Sequence, residues 1–214
     1  FLGHTFGEEN VGLYQLVFPV YALGISFSCA GTELALSRCV AQENAAGHPE
    51  KAKELLKTGL IFTFVLSCIL TIFLQHNAHM TAISFLHDSR CEELLILLSY
   101  TFPFASIHSC ICGYSLGLKQ TKIPAVSQLF EQTFRILFVF LFCYYRTSHQ
   151  LDLSISFAVV GLAMGEIFAS CYCLYSIHHT ASKQVQNLLS ASTFCIHLSR
   201  LFRHAFPLTA SRVL

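Results

Sequence analysis

Apolar residues along this chain gather into long runs, and the polar residues fall mostly into the short stretches between them. A bilayer core about 30 Å thick takes roughly 20 helical residues. Five runs have about that length: residues 11–36 with Pro19 inside, 58–74, 94–118 with Pro103 inside, 124–145 and 153–177. A sixth begins near Ala205 and ends with the chain. The segment MTAISFLHD, residues 80–88, is too short to span and is expected at the interface. The first run has neither a basic flank nor a small-residue cleavage site, so it reads as a span rather than a signal peptide.

The connections refine this pattern. SRCVAQENAAGHPEKAKELLK, residues 37–57, predicts a helix, a break and a second helix, with Gly47 ending the first and Pro49 beginning the second. Residues 113–136, GYSLGLKQTKIPAVSQLFEQTFRI, join two apolar helices through a basic turn. Gly117 is expected to close the first helix, and Pro124 opens the second, where its missing N–H costs nothing. Residues 178–204 read as an amphipathic surface linker.

Charge gives the expected orientation. With the first run entering from outside, the inner loops hold Arg38, Lys51, Lys53, Lys57, Lys119, Lys122, Lys183, Arg200 and Arg203, against only Arg90 and Arg146 outside. That asymmetry follows the positive-inside rule. Composition agrees: 54% of residues are hydrophobic and only 12% charged, half the share typical of soluble domains. A net charge of +1 offers no basic face for nucleic acid. The chain is therefore expected to be an all-α, polytopic membrane helix bundle.

The cysteines include no CxxC pair, and most lie inside apolar runs, where a thiol packs as a small hydrophobe. His76, His79, His87 and Cys91 share one outer loop, but their irregular spacing suits a solvated loop better than a metal site. No metal, cofactor or catalytic motif is indicated, and an enzyme is not expected.

Charges inside the apolar runs are the candidate functional residues. Glu131 and Arg135 lie four positions apart on one helix face. They either line a hydrated cavity, with Arg135 attracting an anionic head group, or form an ion pair that fastens helices. Glu166, beside Gly165, is either a cation or proton site or a hydrogen-bonding partner for a neighbouring helix. Glu33 lies where its carboxylate could reach water at the inner surface. Gly113 and Gly117, and Gly161 and Gly165, are small-xxx-small spacings that allow close helix approach.

Three blocks carry a family resemblance: VGLYQLVFPVY at 11–21, AGTELALSRCVAQENAAG at 30–47, and the 113–136 segment with its Gly-Tyr, Gly, Pro, Ser-Gln and Glu-Gln…Arg pattern. The chain resembles the multidrug/oligosaccharidyl-lipid/polysaccharide exporter superfamily, and within it the stage V sporulation protein B-like polysaccharide flippases. One departure is Thr32-Glu33, where such proteins usually carry an apolar residue and a proline. The resemblance implies two six-helix lobes with the substrate path between them. On that alignment the chain holds helices two to six and the start of helix seven. Residues 1–177 would form the N-terminal lobe, 178–204 the inter-lobe linker, and 205–214 the start of a second lobe. Beginning at Phe1 and ending inside an apolar run, the chain reads as a piece of a longer protein. The implied activity is alternating-access translocation of a lipid-linked saccharide, of undecaprenyl-pyrophosphate type, for cell-wall or spore-envelope assembly, with a proton or sodium ion as coupling ion. A multidrug extruder of the same superfamily and a non-transporting membrane scaffold remain the alternatives.

Overall fold

The computed structural model describes residues 8–148 and 155–181, and all regular structure among them is helical. The elements are α1 (Glu8–Ile25), a π-helical turn (Ser26–Ala30), α2 (Gly31–Ala45), α3 (Pro49–His76), α4 (Ala78–Ser84), α5 (Cys91–Ser99), α6 (Thr101–Gly117), α7 (Lys122–Ser148) and α8 (Ser156–Ala181). Four segments are long and apolar enough to cross a bilayer: Val11–Ala45, Pro49–His76, Lys122–Tyr145 and Ser156–His179. The α5–α6 pair, bent by 40°, brings the number to five when its two helices are taken as one span. The protein is a multi-pass membrane protein. The predicted linker begins inside α8, while 182–204 and 205–214 lie outside the described residues.

Helices α1 and α2 form one rod through the π-helical turn, so the predicted helical hairpin is not a separate unit. Its arms are the ends of the first two spans. Gly47 takes the left-handed conformation at φ +77° between them. The Gly47 amide donates to the Asn44 carbonyl at 3.2 Å and the His48 amide to that of Glu43 at 3.0 Å, closing the helix end. Pro19 sits within an unbroken α1, and the irregular turn comes later, at Ser26–Ala30. There the Ser28 hydroxyl donates to the Gly24 carbonyl at 2.9 Å and Thr32 to that of Cys29 at 2.8 Å, satisfying backbone where no water reaches.

Pro103 accounts for the break between α5 and α6. Its ring crowds the carbonyl four residues earlier, that of Ser99, which loses its intrahelical donor. Thr71 of α3 supplies a replacement, donating from Oγ1 to the Ser99 carbonyl at 3.1 Å, while Gln75 Nε2 donates to Ser99 Oγ at 3.0 Å. Ser67 and Ser106 add a third polar tie at 3.1 Å. Hydrogen bonds of this kind hold helices together where lipid is the solvent. Thr71→Val is expected to lower stability by about 0.6–1.7 kcal/mol. Thermal unfolding in detergent reads this directly, and an unchanged midpoint would show that the Ser99 carbonyl finds another donor.

Glycines set the closest approaches. A Cβ at Gly113 would lie 2.6 Å from the Glu33 carbonyl oxygen, and one at Gly117 would lie 2.7 Å from that of Ser37. Gly117 is thus the last residue of α6, where the sequence places the helix end, and also a packing residue. The left-handed residue is Lys119, at φ +62°. Its amide and that of Gln120 donate to the Leu116 and Ser115 carbonyls at 2.9 and 2.8 Å. Because Gly117 abuts Ser37 and Val40, the turns after α2 and α6 share one end of the bundle. Lys51, Lys53, Lys57, Lys119 and Lys122 collect there, away from Asp88 and Arg90. This is the sorting that the loop charges predict.

Outward, α3 presents Ile61, Phe64, Val65, Ile69, Ile72 and Phe73, all exposed. A contiguous apolar face of that kind suits lipid rather than water. Inward, Leu13, Val17, Leu95, Leu98, Phe102, Val159 and Leu162 pack the core between α1, α5, α6 and α8.

Candidate functional site

Three helices each present a polar stripe at three- or four-residue spacing, which keeps its members on one face. Helix α6 contributes His108 and Cys112, α7 contributes Ser127, Glu131 and Arg135, and α8 contributes Glu166, Ser170 and Cys173. The Gly161–Gly165 notch on α8 brings the stripes together. A Cβ at Gly165 would lie 2.8 Å from the Glu131 carbonyl oxygen, and one at Gly161 would lie 2.7 Å from Val139. The small-xxx-small spacing therefore places the α7 backbone directly against α8.

Two ion pairs result. Arg135 Nη2 donates to Glu131 Oε1, and its other terminal nitrogen reaches Gln132 Oε1 at 3.4 Å. His108 Nδ1 lies 3.3 Å from Glu166 Oε2, with both residues buried. The ligating atoms of His108, Glu131 and Glu166 lie within 4.8 Å of one another, so the two pairs form one cluster. The Arg135 side chain remains 27% exposed. Its Nε is buried with no hydrogen-bond partner.

Among the expected site residues, Glu131, Arg135 and Glu166 thus converge. Glu33 stands apart on the α2–α6 interface, half-buried, where Ser109 Oγ donates to its Oε2 at 3.0 Å. The outer-loop histidines do not converge. His79 pairs with Glu92 at 2.8 Å, His87 Nδ1 lies 3.2 Å from the Ile83 carbonyl, and Cys91 is buried in the core. Asp88 in that loop accepts from the Arg90 amide and guanidinium, and the side-chain bond holds its carboxyl below the usual range. This clip is therefore intact above the ordinary carboxylate pKa and opens only as pH falls through the lowered one.

Sequence reasoning missed His108, Ser127, Cys112 and Cys173 as members of the cluster. The signal available was the i,i+4 pairing of His108 with Cys112 and the continuation of Glu131–Arg135 back to Ser127. What joins α6 to α8 is tertiary and leaves no local mark.

Comparison with known proteins gives a consistent picture. Stage V sporulation protein B of Bacillus subtilis (strain 168) is 27% identical over 208 residues, covering 96% of this chain and 40% of that protein. Sporulation protein YkvU of the same organism is 22% identical over 175 residues, covering 82% of this chain and 37% of the relative. Its lipid II flippase MurJ is 27% identical over 141 residues, covering 62% of this chain and 26% of the flippase. The chain thus spans about two fifths, or less, of the length of these relatives. No solved structure matches it. The family described as polysaccharide biosynthesis protein matches residues 1–214 from end to end, and the chain belongs to that family.

Proposed function

We propose that the chain is the N-terminal lobe of a flippase that moves a lipid-linked saccharide across the bilayer by alternating access, with no covalent bond made or broken. The family membership and the flippase among its relatives support this reading. The observation that carries it at residue level is Arg135. A guanidinium far from either helix end keeps a buried, unpartnered Nε–H and a partly exposed fork. An unsatisfied donor at such depth calls for an oxygen ligand. A phosphate of an undecaprenyl-pyrophosphate-type carrier supplies one, and the planar fork binds phosphate bidentately. The saccharide head group follows through the hydrated path while the lipid tail stays in the membrane.

Glu131 holds the guanidinium in place. Glu166 is the proposed site for the coupling cation, a proton or sodium. Arg135 balances one of the two carboxylates, and Glu166 takes its positive charge either from His108 or from a bound cation. Glu33, held by Ser109 at the α2–α6 contact, serves the packing of the inner half of the lobe.

The test is translocation of a fluorescent lipid-linked saccharide in vesicles containing the protein in its full encoded length. Arg135→Ala is expected to slow the initial rate about tenfold or more, the equivalent of one charge-assisted hydrogen bond. Arg135→Lys should recover part of it. Wild-type rates from inserted, monodisperse Arg135→Ala protein would sink the proposal. Export of cationic drugs without saccharide-lipid movement would favour the extruder.

A further inference from the structure

We propose that His108, Cys112 and Cys173 form a binding site for a thiophilic metal ion, zinc in the cell, where α6, α7 and α8 meet. The site shares His108, and its partner Glu166, with the charged cluster above, but its test does not depend on transport. All three side chains are buried, and their ligating atoms lie within 4.8 Å of one another. In a tetrahedral zinc site, with bonds of about 2.3 Å to sulfur and about 2.0 Å to nitrogen, ligand atoms sit roughly 3.5–3.8 Å apart. The set therefore closes by about 1 Å, within the reach of side-chain rotation.

Ser127 Oγ adjoins two members of the set. It lies 3.0 Å from His108 Nε2 and 3.6 Å from Cys112 Sγ. It also donates to the Pro124 carbonyl at 2.8 Å. A hydroxyl has one proton, so Ser127 cannot serve Pro124 and a neutral Nε2 together. A metal on Nε2 removes that competition and leaves Ser127 Oγ, or a water beside it, as fourth ligand.

The histidine is also set for ligation. Its Nδ1 faces the Glu166 carboxylate at 3.3 Å, which fixes the proton on Nδ1 and turns the Nε2 lone pair toward the two sulfurs. A carboxylate behind a ligating histidine is the usual outer-shell arrangement of zinc sites. Charge favours the same ion. On binding, both S–H bonds give up their protons and two metal–sulfur bonds form. A divalent ion with two thiolates and a neutral imidazole carries no net charge, which the bilayer interior tolerates. Soft thiolate ligands select zinc or monovalent copper over magnesium or calcium.

Cobalt titration of the protein in its full encoded length tests this, in detergent, with reductant and without chelator. One Co²⁺ per chain is expected, with a thiolate-to-cobalt charge-transfer band that Zn²⁺ abolishes and release of about two protons per ion. Cys112→Ser and Cys173→Ser should each remove about half of the band, as expected for one of two thiolates. His108→Ala should weaken binding by more than the about 10–100-fold typical of an outer-shell partner. Cys171→Ser, at an exposed neighbour, should change nothing. Should the cysteine variants fail to insert, the wild-type band, Cys171→Ser and His108→Ala decide the matter. No band at saturating Co²⁺, a band unaltered by either cysteine substitution, or a Cys112–Cys173 disulfide in the isolated protein overturns the site.

Discussion

Gly165→Val is expected to destabilise the lobe by about 3 kcal/mol or more, the upper end of the overpacking range, and to deplete folded protein from the membrane. The first added carbon would lie 2.8 Å from the Glu131 carbonyl oxygen and 3.4 Å from Arg135 Cβ. The nearer obstacle is backbone, which cannot rotate aside, so α7 must move bodily away from α8. That movement also pulls Glu131 and Arg135 from His108 and Glu166. Gly12→Val is the matched control, because nothing lies within 4 Å of a Cβ there. Thermal stability of both variants by fluorescence-detected gel filtration is the measurement. Equal midpoints would show that α7 does not seat in the Gly161–Gly165 notch.

Glu131→Gln carries the second large effect. Removing this carboxylate takes away the hydrogen-bonded partner of Arg135 and leaves Glu166 as the remaining carboxylate of the cluster. With the Arg135 side chain 27% exposed, the loss is expected at or below the lower end of the about 3–5 kcal/mol for breaking a buried pair. Arg135→Gln should be comparably harmful, since it strands Glu131 beside Glu166. The double substitution removes both members of the pair, leaves the net charge of the cluster as in the wild type, and should be milder than the sum of the singles. A full double-mutant cycle in detergent unfolding measures that coupling, and strictly additive losses would mean that the pair does not interact. The doubly substituted protein also separates stability from transport. It should insert yet move saccharide-lipid slowly.

The spans were legible because lipid demands a length and an apolar composition that few other environments require. The break at Gly47–Pro49 was equally plain, but of the two prolines inside apolar runs only Pro103 lies at a bend and Pro19 does not, so proline alone did not place it. Glycine spacing indicated close approach but named no partner. That Gly113 and Gly117 meet α2, while Gly161 and Gly165 meet α7, is decided by packing alone. The site was half legible. Glu131, Arg135 and Glu166 stand out because charge is expensive in a membrane. His108 and the two thiols do not, because a neutral imidazole or thiol inside an apolar run is cheap and common. Gly117 was legible as the end of α6, but not that its missing side chain admits the backbone of a neighbouring helix.

The joined rod from Val11 to Ala45 holds 35 residues, roughly 52 Å of helix, against a hydrocarbon slab of about 30 Å. The surplus makes an outrigger whose tip is the Gly47 elbow, well clear of the lipid. Any rocking of the bundle is magnified there. A tilt of about 10° about the membrane midplane swings a point some 30 Å away by roughly 5 Å, at the helical rise of 1.5 Å per residue. On the proposed alternating-access reading, a spectroscopic label on the elbow would report the lobe's swing at a distance from the charged cluster.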